Sequence, residues 1–594
     1  MHETCESNPG KYFMINRLRF ACTALFLLAT AGRAAFAADP AVLEEQARRV
    51  ELIERISPAV VAIFAAGGGG GGSGVLISAD GYAVTNFHVV QGMGPFMKCG
   101  LNDRVVYDAV VAGVDPTGDL AVIKLLGRDD FPTAPLGDSD TVRVGDSAYA
   151  LGNPFLLATD FQPTVTFGMV SGVHRYQFPA GTFLEYTDCI QVDTSINPGN
   201  SGGPLFNEAG EVIGINGRIS IEKRGRVNVG AGYAISSNQV KNFLDHLKSG
   251  RIVDHATLGA TVTTNADGAV AVANILEQSE AYRRGLRAGD EIVSFAGRPI
   301  RSVNQFKNIL GIYPKGWKLP LTYRRDGEKT DIVVRLRALH RAAELMPQRD
   351  RPGQPPGEPN PEEPDPDEPD EGDPEQPEPP APMIPAGPQP PEEYAHMYVQ
   401  RQGFMNYYFN ELERDRAVSA IAGLGDYGQL TGLWELSGHT ADGREFQFKL
   451  GGETAAVKIG DDVAIQPLES DPSDAPPGSG GLLIAMHSMK MMIADPEGYF
   501  SEYYYVGSEP LDGVGERVDV VLTTRGQVTT RWYFSQSDGR WLGFDTAVTE
   551  DADECEVRIE SLREFDGRTL PDRLAVRHAG EPFATFVIES AVLQ

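Results

Sequence analysis

Three residues of this chain could do nucleophilic chemistry together: His88, Asp119 and Ser201. Ser201 sits in "NPGNSGGP", Asn197 to Pro204, where glycine, asparagine and proline surround one hydroxyl and leave it no packing role. A serine hydroxyl is a weak nucleophile at neutral pH; it needs a base, and the base needs an orienting group. "AVTNFHVV" brings His88 to the end of an apolar strand pattern, and "DPTGDLAVIKL" puts Asp119 directly before another. In that order Asp119 would fix the tautomer of His88, His88 would take the proton of Ser201, and the hydroxyl would attack a carbonyl. The flanking glycines would let the turn aim the N–H groups of Gly199 and Ser201, with Asn200 between them, at a developing oxyanion. Asp115 competes for the role of the acid, but "VDPTG" reads as a turn in which that carboxylate caps its own backbone.

Such groups must be held by strands. From Ala41 to Gly250, short apolar runs such as "AVVAIF", "GVLIS", "LAVIKL" and "EVIGING" alternate with Gly, Asp and Pro turn signals, the pattern of an all-β barrel or sandwich. Two amphipathic helices bracket it, "AVLEEQARRVELIERI" and "SSNQVKNFLDHLKSG". A smaller mixed module spans 251–345 and carries "EAYRRGLRAGDEIVSFAGRPI" and the predicted helix "SVNQFKNIL". Residues 346–393 read as a linker: from Arg351 to Glu393 there are 13 acids against one base among repeated prolines, a composition that builds no core and stays extended. Residues 394–594 open with helical patterning and continue as strands such as "GREFQFKL" and "RVDVVLTT", a β-rich α+β domain. At the other end, "RLRF", "ACTALFLLATAG" and "AFA" give residues 1–37 the layout of a secretory signal peptide cut after Ala37, with Met14 as an alternative start. An uncut membrane anchor is the competing reading, although the apolar run is short for a span and no later segment is apolar enough.

A formal net charge of −30 argues against nucleic acid as a partner, since phosphates call for basic patches. Cys5 and Cys22 would leave with the signal, while Cys99, Cys189 and Cys555 are odd in number and unpaired in spacing. Neither a disulfide framework nor a metal site is expected, and no cofactor is called for.

Four segments in register, "GSGVLISADGYAVTNFHVV", "GVDPTGDLAVIKL", "APLGDSDTVRVGDSAYALGNPF" and "IQVDTSINPGNSGGPLFNEAGEVIGING", resemble the HtrA/Deg family of bacterial envelope serine endopeptidases. The resemblance covers residues 45–250 and implies a chymotrypsin-like fold of two β-barrels, with His88, Asp119 and Ser201 as the triad and Gly199 as an oxyanion donor. Six residues before the nucleophile, at the floor of the specificity pocket in such folds, stands Ser195 beside Ile196, so cleavage after Lys or Arg is not expected. The walls near "INGRIS" leave room for small or medium aliphatic side chains, with Arg218 read as facing solvent. The module 251–345 is similar to a PDZ domain, which would bind peptide C-termini through the amides of Leu258, Gly259 and Ala260 in "TLGATV". By the same resemblance "SGVHRYQFPAGTF", Ser171 to Phe183, is a regulatory loop in which Arg175 links to neighbouring parts.

Family members are commonly homotrimers built through N-terminal segments; the first amphipathic helix would supply one, or would pack on its own barrel. Two features depart from the family. "AAGGGGGGSG" reads as a flexible tether where many relatives hold a long loop, and residues 394–594 replace a second PDZ domain. That last domain is similar to the curved sheets of lipoprotein carriers. Trp532, Phe534 and Trp541 would line its concave face or form its core, and the Met-rich "LLIAMHSMKMMI" would pack inward. An envelope or membrane-associated partner for it stays open. The chain therefore reads as an ATP-independent periplasmic endopeptidase acting on unfolded or mislocalised polypeptides, the alternative being a proteolytically weak chaperone or peptide-binding scaffold.

Overall fold

In the computed structural model, residues 39–67, 71–153, 160–177, 184–196, 199–221, 228–345, 391–428 and 430–594 are described. The expected signal peptide and nearly all of the acidic linker lie outside them. The chain divides into two units, 1–56 and 57–594. The described part of the first is helix α1 (Pro40–Ile56), which coincides with the first predicted amphipathic segment.

The second unit begins with two closed six-stranded barrels. The first contains β1 (Val60–Ala65), β2 (Gly71–Leu76), β3 (Tyr82–Thr85), β4 (Phe96–Gly100), β5 (Val106–Asp115) and β6 (Leu120–Leu125), with the short helix α2 (Phe87–Val90) after β3. Its core is built from small and branched side chains, among them Val61, Ile63, Val111, Val114 and Ile123. The second barrel contains β7 (Ser147–Gly152), β8 (Thr164–Gln177), β9 (Tyr186–Val192), β10 (Pro204–Phe206), β11 (Val212–Ile221) and β12 (Asn228–Ser236). Helix α3 (Ser237–Lys248) follows, burying Val240, Phe243 and Leu247 at the spacing of one helical face.

The end of the glycine run departs from the expectation of a flexible tether. Gly71 and Gly72 are already part of β2, opposite Phe64 and Ile63 of β1, while Gly68 to Gly70 lie outside the described residues. Close approach explains the residue type: a Cβ on Gly72 would fall 2.6 Å from Val89 and 3.0 Å from the Ser201 carbonyl oxygen.

The third domain has a six-stranded sheet and helix α4 (Val303–Gly311), whose first turn is capped by Ser302 accepting from Gln305 N. Phe306 and Ile309 of α4 enter its core.

Residues 391–594 form one eleven-stranded antiparallel sheet with helices α5 (Tyr407–Ala422) and α6 (Leu482–Ala494). All 13 residues of α6 are buried. It packs in one core with Trp532, Phe534 and Trp541, so the inward reading of the Met-rich run and of these aromatic residues holds. The turn before α6 is held by Asp474, whose carboxylate accepts from the N–H groups of Gly478, Ser479, Gly480 and Gly481. Within α6, the Lys490 ammonium donates to the carbonyls of Thr431, Gly432 and Leu450, and burial brings its pKa down to about 8.

This domain grips both of its neighbours. Asn410 donates to the Ser249 carbonyl and Asn406 to the Val111 carbonyl, at 3.0 Å each. Towards the third domain, Lys318 lies 2.9 Å from Asp545, 2.9 Å from Glu554 and 2.7 Å from Glu556. These three carboxylates are close enough together to share a cation, and the cation they hold is this ammonium. Arg335 pairs in the same place with Glu509, Asp545 and Glu554. Cys99, Cys189 and Cys555 are free and buried. Among the described residues, no helix is long and apolar enough to cross a membrane.

Candidate active site

The site forms where the two barrels meet. His88 is the second residue of α2, directly after β3, and Asp119 closes the turn between β5 and β6. Asp119 holds His88 twice: Oδ2 lies 2.8 Å from the ring Nδ1, and Oδ1 accepts the His88 backbone N–H at 3.0 Å. The acid is buried while the imidazole stays half open, with side-chain exposures of 1% and 41%. Burial depresses the imidazole pKa, but the hydrogen bond and charge of Asp119 outweigh it, and the pKa stands above its ordinary 6.5.

Asp115 does what the turn reading expects of it, since its Oδ1 accepts from Thr117 N at 3.1 Å and Gly118 N at 2.8 Å. A residue that sequence reasoning missed completes the surroundings of the acid. Tyr186, the first residue of β9, donates its hydroxyl to Asp119 Oδ2 at 2.5 Å. In the sequence it is one more aromatic residue at a strand start, and nothing in its own neighbourhood signals the partner.

Ser201 comes from the second barrel, and among the described residues its Oγ makes no hydrogen bond to His88. Its Oγ donates to the Gly217 carbonyl at 3.4 Å, and a Cβ on Gly217 would lie 2.7 Å from the Tyr186 hydroxyl oxygen. Its carbonyl accepts from Ser73 N at 2.9 Å, fastening the serine turn to β2 of the first barrel. Gly202 packs against the loop before His88, for a Cβ there would sit 3.0 Å from Asn86 N. The turn itself requires glycine at 199, where φ is +103°. Ser73 Oγ pins the Gly199 carbonyl at 2.6 Å, fixing the orientation of that peptide unit. Among the described residues, the N–H groups of Gly199, Asn200 and Ser201 have no protein acceptor. The Asn200 side chain is fully buried with neither polar atom bonded. Three unspent donors on one tight turn are what an oxyanion pocket needs.

Of the other sequence candidates, Ser195 is exposed and Ile196 buried; the side chain of Arg218 lies outside the description. The strand Ala260–Thr264 is the edge of the third domain's sheet, with Thr261, Thr263 and Thr264 exposed along it. Leu258 is buried, and the Gly259 N–H is taken up by Thr257 Oγ1 at 3.2 Å. Arg175 binds Gln191 of β9 at 3.1 Å and so stays within its own barrel. Both neighbours of Arg175 meet the third domain: the Lys307 ammonium lies over the Tyr176 ring at 5.3 Å, and the other contact is at His174. Asn308 of α4 donates to the His174 carbonyl at 2.6 Å and accepts from Asp188 N at 3.0 Å, beside a 2.6 Å His174–Asp188 pair. Residues 178–183 of the loop lie outside the described residues.

Comparison with known proteins agrees with this layout. A trypsin-like peptidase domain matches residues 72–215, and a PDZ domain matches 256–336. The chain is 38% identical over 276 residues to the periplasmic serine endoprotease DegP of Escherichia coli (strain K12), covering 44% of this chain and 56% of DegP. It is 37% identical over 278 residues to a probable periplasmic serine endoprotease DegP-like of Marinomonas sp. (strain MWYL1), covering 45% and 56%. The chain thus spans little more than half the length of these relatives. A solved structure described as HtrA-type protease AlgW with tripeptide is 30% identical, covering 48% of this chain and 96% of that one, with a TM-score of 0.40. Neither domain match extends past residue 336. With a trypsin-like peptidase domain leading directly into a PDZ domain, and more than a third of the aligned residues shared with DegP, this part of the chain belongs to the HtrA/Deg family of serine proteases.

Proposed function

We propose that the chain is an ATP-independent serine endopeptidase of the cell envelope that cleaves unfolded or mislocalised polypeptides, with the PDZ domain receiving peptide C-termini. In this reading His88 Nε2 takes the proton of Ser201 as Oγ bonds to the scissile carbonyl carbon. The displaced electron pair rests on the carbonyl oxygen, against the N–H groups of Gly199, Asn200 and Ser201. Collapse expels the amine, which leaves with the proton from His88, and water then hydrolyses the acyl-serine by the same exchange in reverse order. Asp119 keeps Nδ1–H fixed and balances the imidazolium. The observation that carries the reading is the double hold of Asp119 on His88 beside a serine turn with three unspent amides.

Ser201 Oγ bonded to Gly217 is then a resting serine, and attack requires its rotation towards His88. Ser195 offers no carboxylate to a basic side chain, which favours small or medium aliphatic residues before the cleaved bond. The Asn308 bridge to His174 and Asp188 offers a route by which peptide at the PDZ domain would reach the protease. The envelope location rests on the periplasmic relatives. A fluorophosphonate probe should label the wild-type protein and not Ser201→Ala, and the same substitution should abolish hydrolysis of unfolded casein. Absence of labelling in a protein that still suppresses aggregation would return it to the class of peptide-binding scaffolds.

A further inference from the structure

The turn that presents Asp119 is tied to a residue outside the peptidase barrels. Asp115 is fully buried, and while its Oδ1 caps the turn, its Oδ2 lies 2.8 Å from Nε2 of His255, which is itself 1% exposed. His255 stands in the segment that enters the PDZ domain. Its carbonyl accepts from Leu339 N at 3.0 Å, and its neighbour Asp254 pairs with His340 at 2.9 Å. Just upstream, the connecting segment is added to the end of β5: Val114 N donates to the Arg251 carbonyl at 3.0 Å, and Val253 N to the Val114 carbonyl at 2.8 Å. Gly118 lies directly beneath the ion pair. A Cβ there would fall 2.4 Å from Asp115 Oδ2, 2.5 Å from Gln239 Nε2 and 2.6 Å from His255 Nε2. The next residue is Asp119, held at φ +58°, a left-handed conformation that a residue with a Cβ adopts only when its surroundings fix it. Its carbonyl accepts from Phe87 N at 3.1 Å and Asn86 Nδ2 at 3.0 Å, so the position of this turn sets the position of the loop bearing His88 as well.

We propose that His255 is a positioning residue for catalysis: by donating to Asp115 from the PDZ side, it fixes the turn 115–119 in the form that places Asp119 on His88. The proposal rests on the serine-protease reading above. Without His255, a carboxylate that is fully buried loses the only side-chain donor it has among the described residues. With nothing holding Oδ2, the carboxylate is free to swing away from Thr117 and Gly118, and the left-handed conformation at 119 loses its support. Of the two ring nitrogens it is Nε2 that faces the Asp115 carboxylate, at 2.8 Å. The peptidase barrels would then reach full activity only with the PDZ entry segment seated on β5.

The test compares His255→Asn with His255→Gln in the full chain. Glutamine extends an amide N–H to the place of Nε2; asparagine falls short of it. Both are small polar replacements of one buried ring, so a purely structural role predicts equal losses of melting temperature and activity together. Positioning predicts a split: His255→Asn loses about tenfold or more in kcat with little change in KM, while His255→Gln keeps most of it. The asparagine variant should also move the acid limb of the kcat/KM profile to lower pH, because His88 loses part of the support from Asp119 that raises its pKa. Wild-type kcat and an unmoved acid limb in His255→Asn would overturn the proposal, as would equal losses in both variants. If the wild-type protein itself is not labelled at Ser201 by the fluorophosphonate, it is the protease reading that falls, so the two failures are distinguishable.

Discussion

Replacing Lys318 by methionine should weaken the hold of the PDZ domain on the C-terminal domain, and the cost follows from counting charges in the ion-pair network around it. Five carboxylates (Glu509, Asp512, Asp545, Glu554, Glu556) and three arginines (Arg531, Arg558, Arg577) come from the C-terminal domain, and Lys318 and Arg335 come from the PDZ domain. The two charges that the PDZ domain brings bring the whole network to neutrality. Lys318→Met leaves one negative charge without a partner, next to an Asp545 side chain with no exposure and a Glu556 side chain at 7%. Breaking a buried pair from one side costs about 3–5 kcal/mol. Arg335 still reaches Asp545 and Glu554, so the expected loss lies at the low end, about 3 kcal/mol at pH 7.5.

Urea denaturation followed by tryptophan fluorescence reads this directly, because Trp317 lies beside Lys318 and Trp532 and Trp541 lie in the adjoining sheet. In the wild-type protein Asp545 and Glu554 are held below their ordinary pKa values: burial opposes this, and Arg558, Lys318 and Arg335 outweigh it. Stability from these groups is present above the unfolded carboxylate range and is lost as pH falls through the depressed folded values. The variant lacks part of that depression, so its deficit should shrink at pH 5, where a proton can take the place of the missing ammonium. Lys318→Met/Glu556→Gln restores neutrality and should recover more than half of the loss. A single variant within 1 kcal/mol of wild type at pH 7.5, or a double variant no better than the single, would refute the reasoning.

Two further outcomes concern pH. His88 must be neutral to act as a base and its pKa is raised by Asp119, so kcat/KM should fall on acidification with a midpoint above 6.5; a midpoint at or below that value counts against the couple. His487 is buried, its Nδ1 facing the Tyr499 hydroxyl and its Nε2 the Gly451 carbonyl, which suits one neutral tautomer, and its pKa is pulled down mainly by burial to about 4. Because the folded value is depressed, the unfolded chain binds the proton first, and stability drops as pH falls from 6.5 towards 4. The C-terminal domain should lose about 2 kcal/mol between pH 7 and pH 5 by this group, a difference that His487→Gln should remove in paired denaturation curves.

The parts of this molecule written locally were readable from the sequence. Strand-end positions for His88 and Asp119, the glycine-rich serine turn and the capping role of Asp115 follow from a few neighbouring residues each. Helix α6 could be read as inward-facing because Met and Leu recur along it at helical spacing. What escaped were pairings between distant segments. Tyr186 meets Asp119 only because two barrels close against each other, and His255 meets Asp115 only because the PDZ entry segment lies along β5. The glycine run misled for a related reason. Its composition suggests looseness, while the packing of β2 against Val89 and the serine turn demands the smallest residue in an ordered strand. Lys318 and Arg335 read as ordinary strand charges until the carboxylates more than 170 residues away are in place.

The strand order of the C-terminal sheet also sets the sequence in which it can be built. Four strands from Trp434 to Pro467 make one meander and seven from Glu502 to Leu593 make another, with neighbours in the chain paired throughout each. The two meanders meet at a single seam, where the first strand, Trp434–Thr440, pairs with the last, Glu581–Leu593. Helix α6 is synthesised between them and packs against strands of both. The strand of this sheet that is synthesised last is therefore the one that unites the halves, and until it arrives a largely apolar helix has only part of its cover. Contacts of such long sequence separation form slowly. Loss of the last dozen residues would leave two separate meanders and a sticky helix, and not merely a frayed edge.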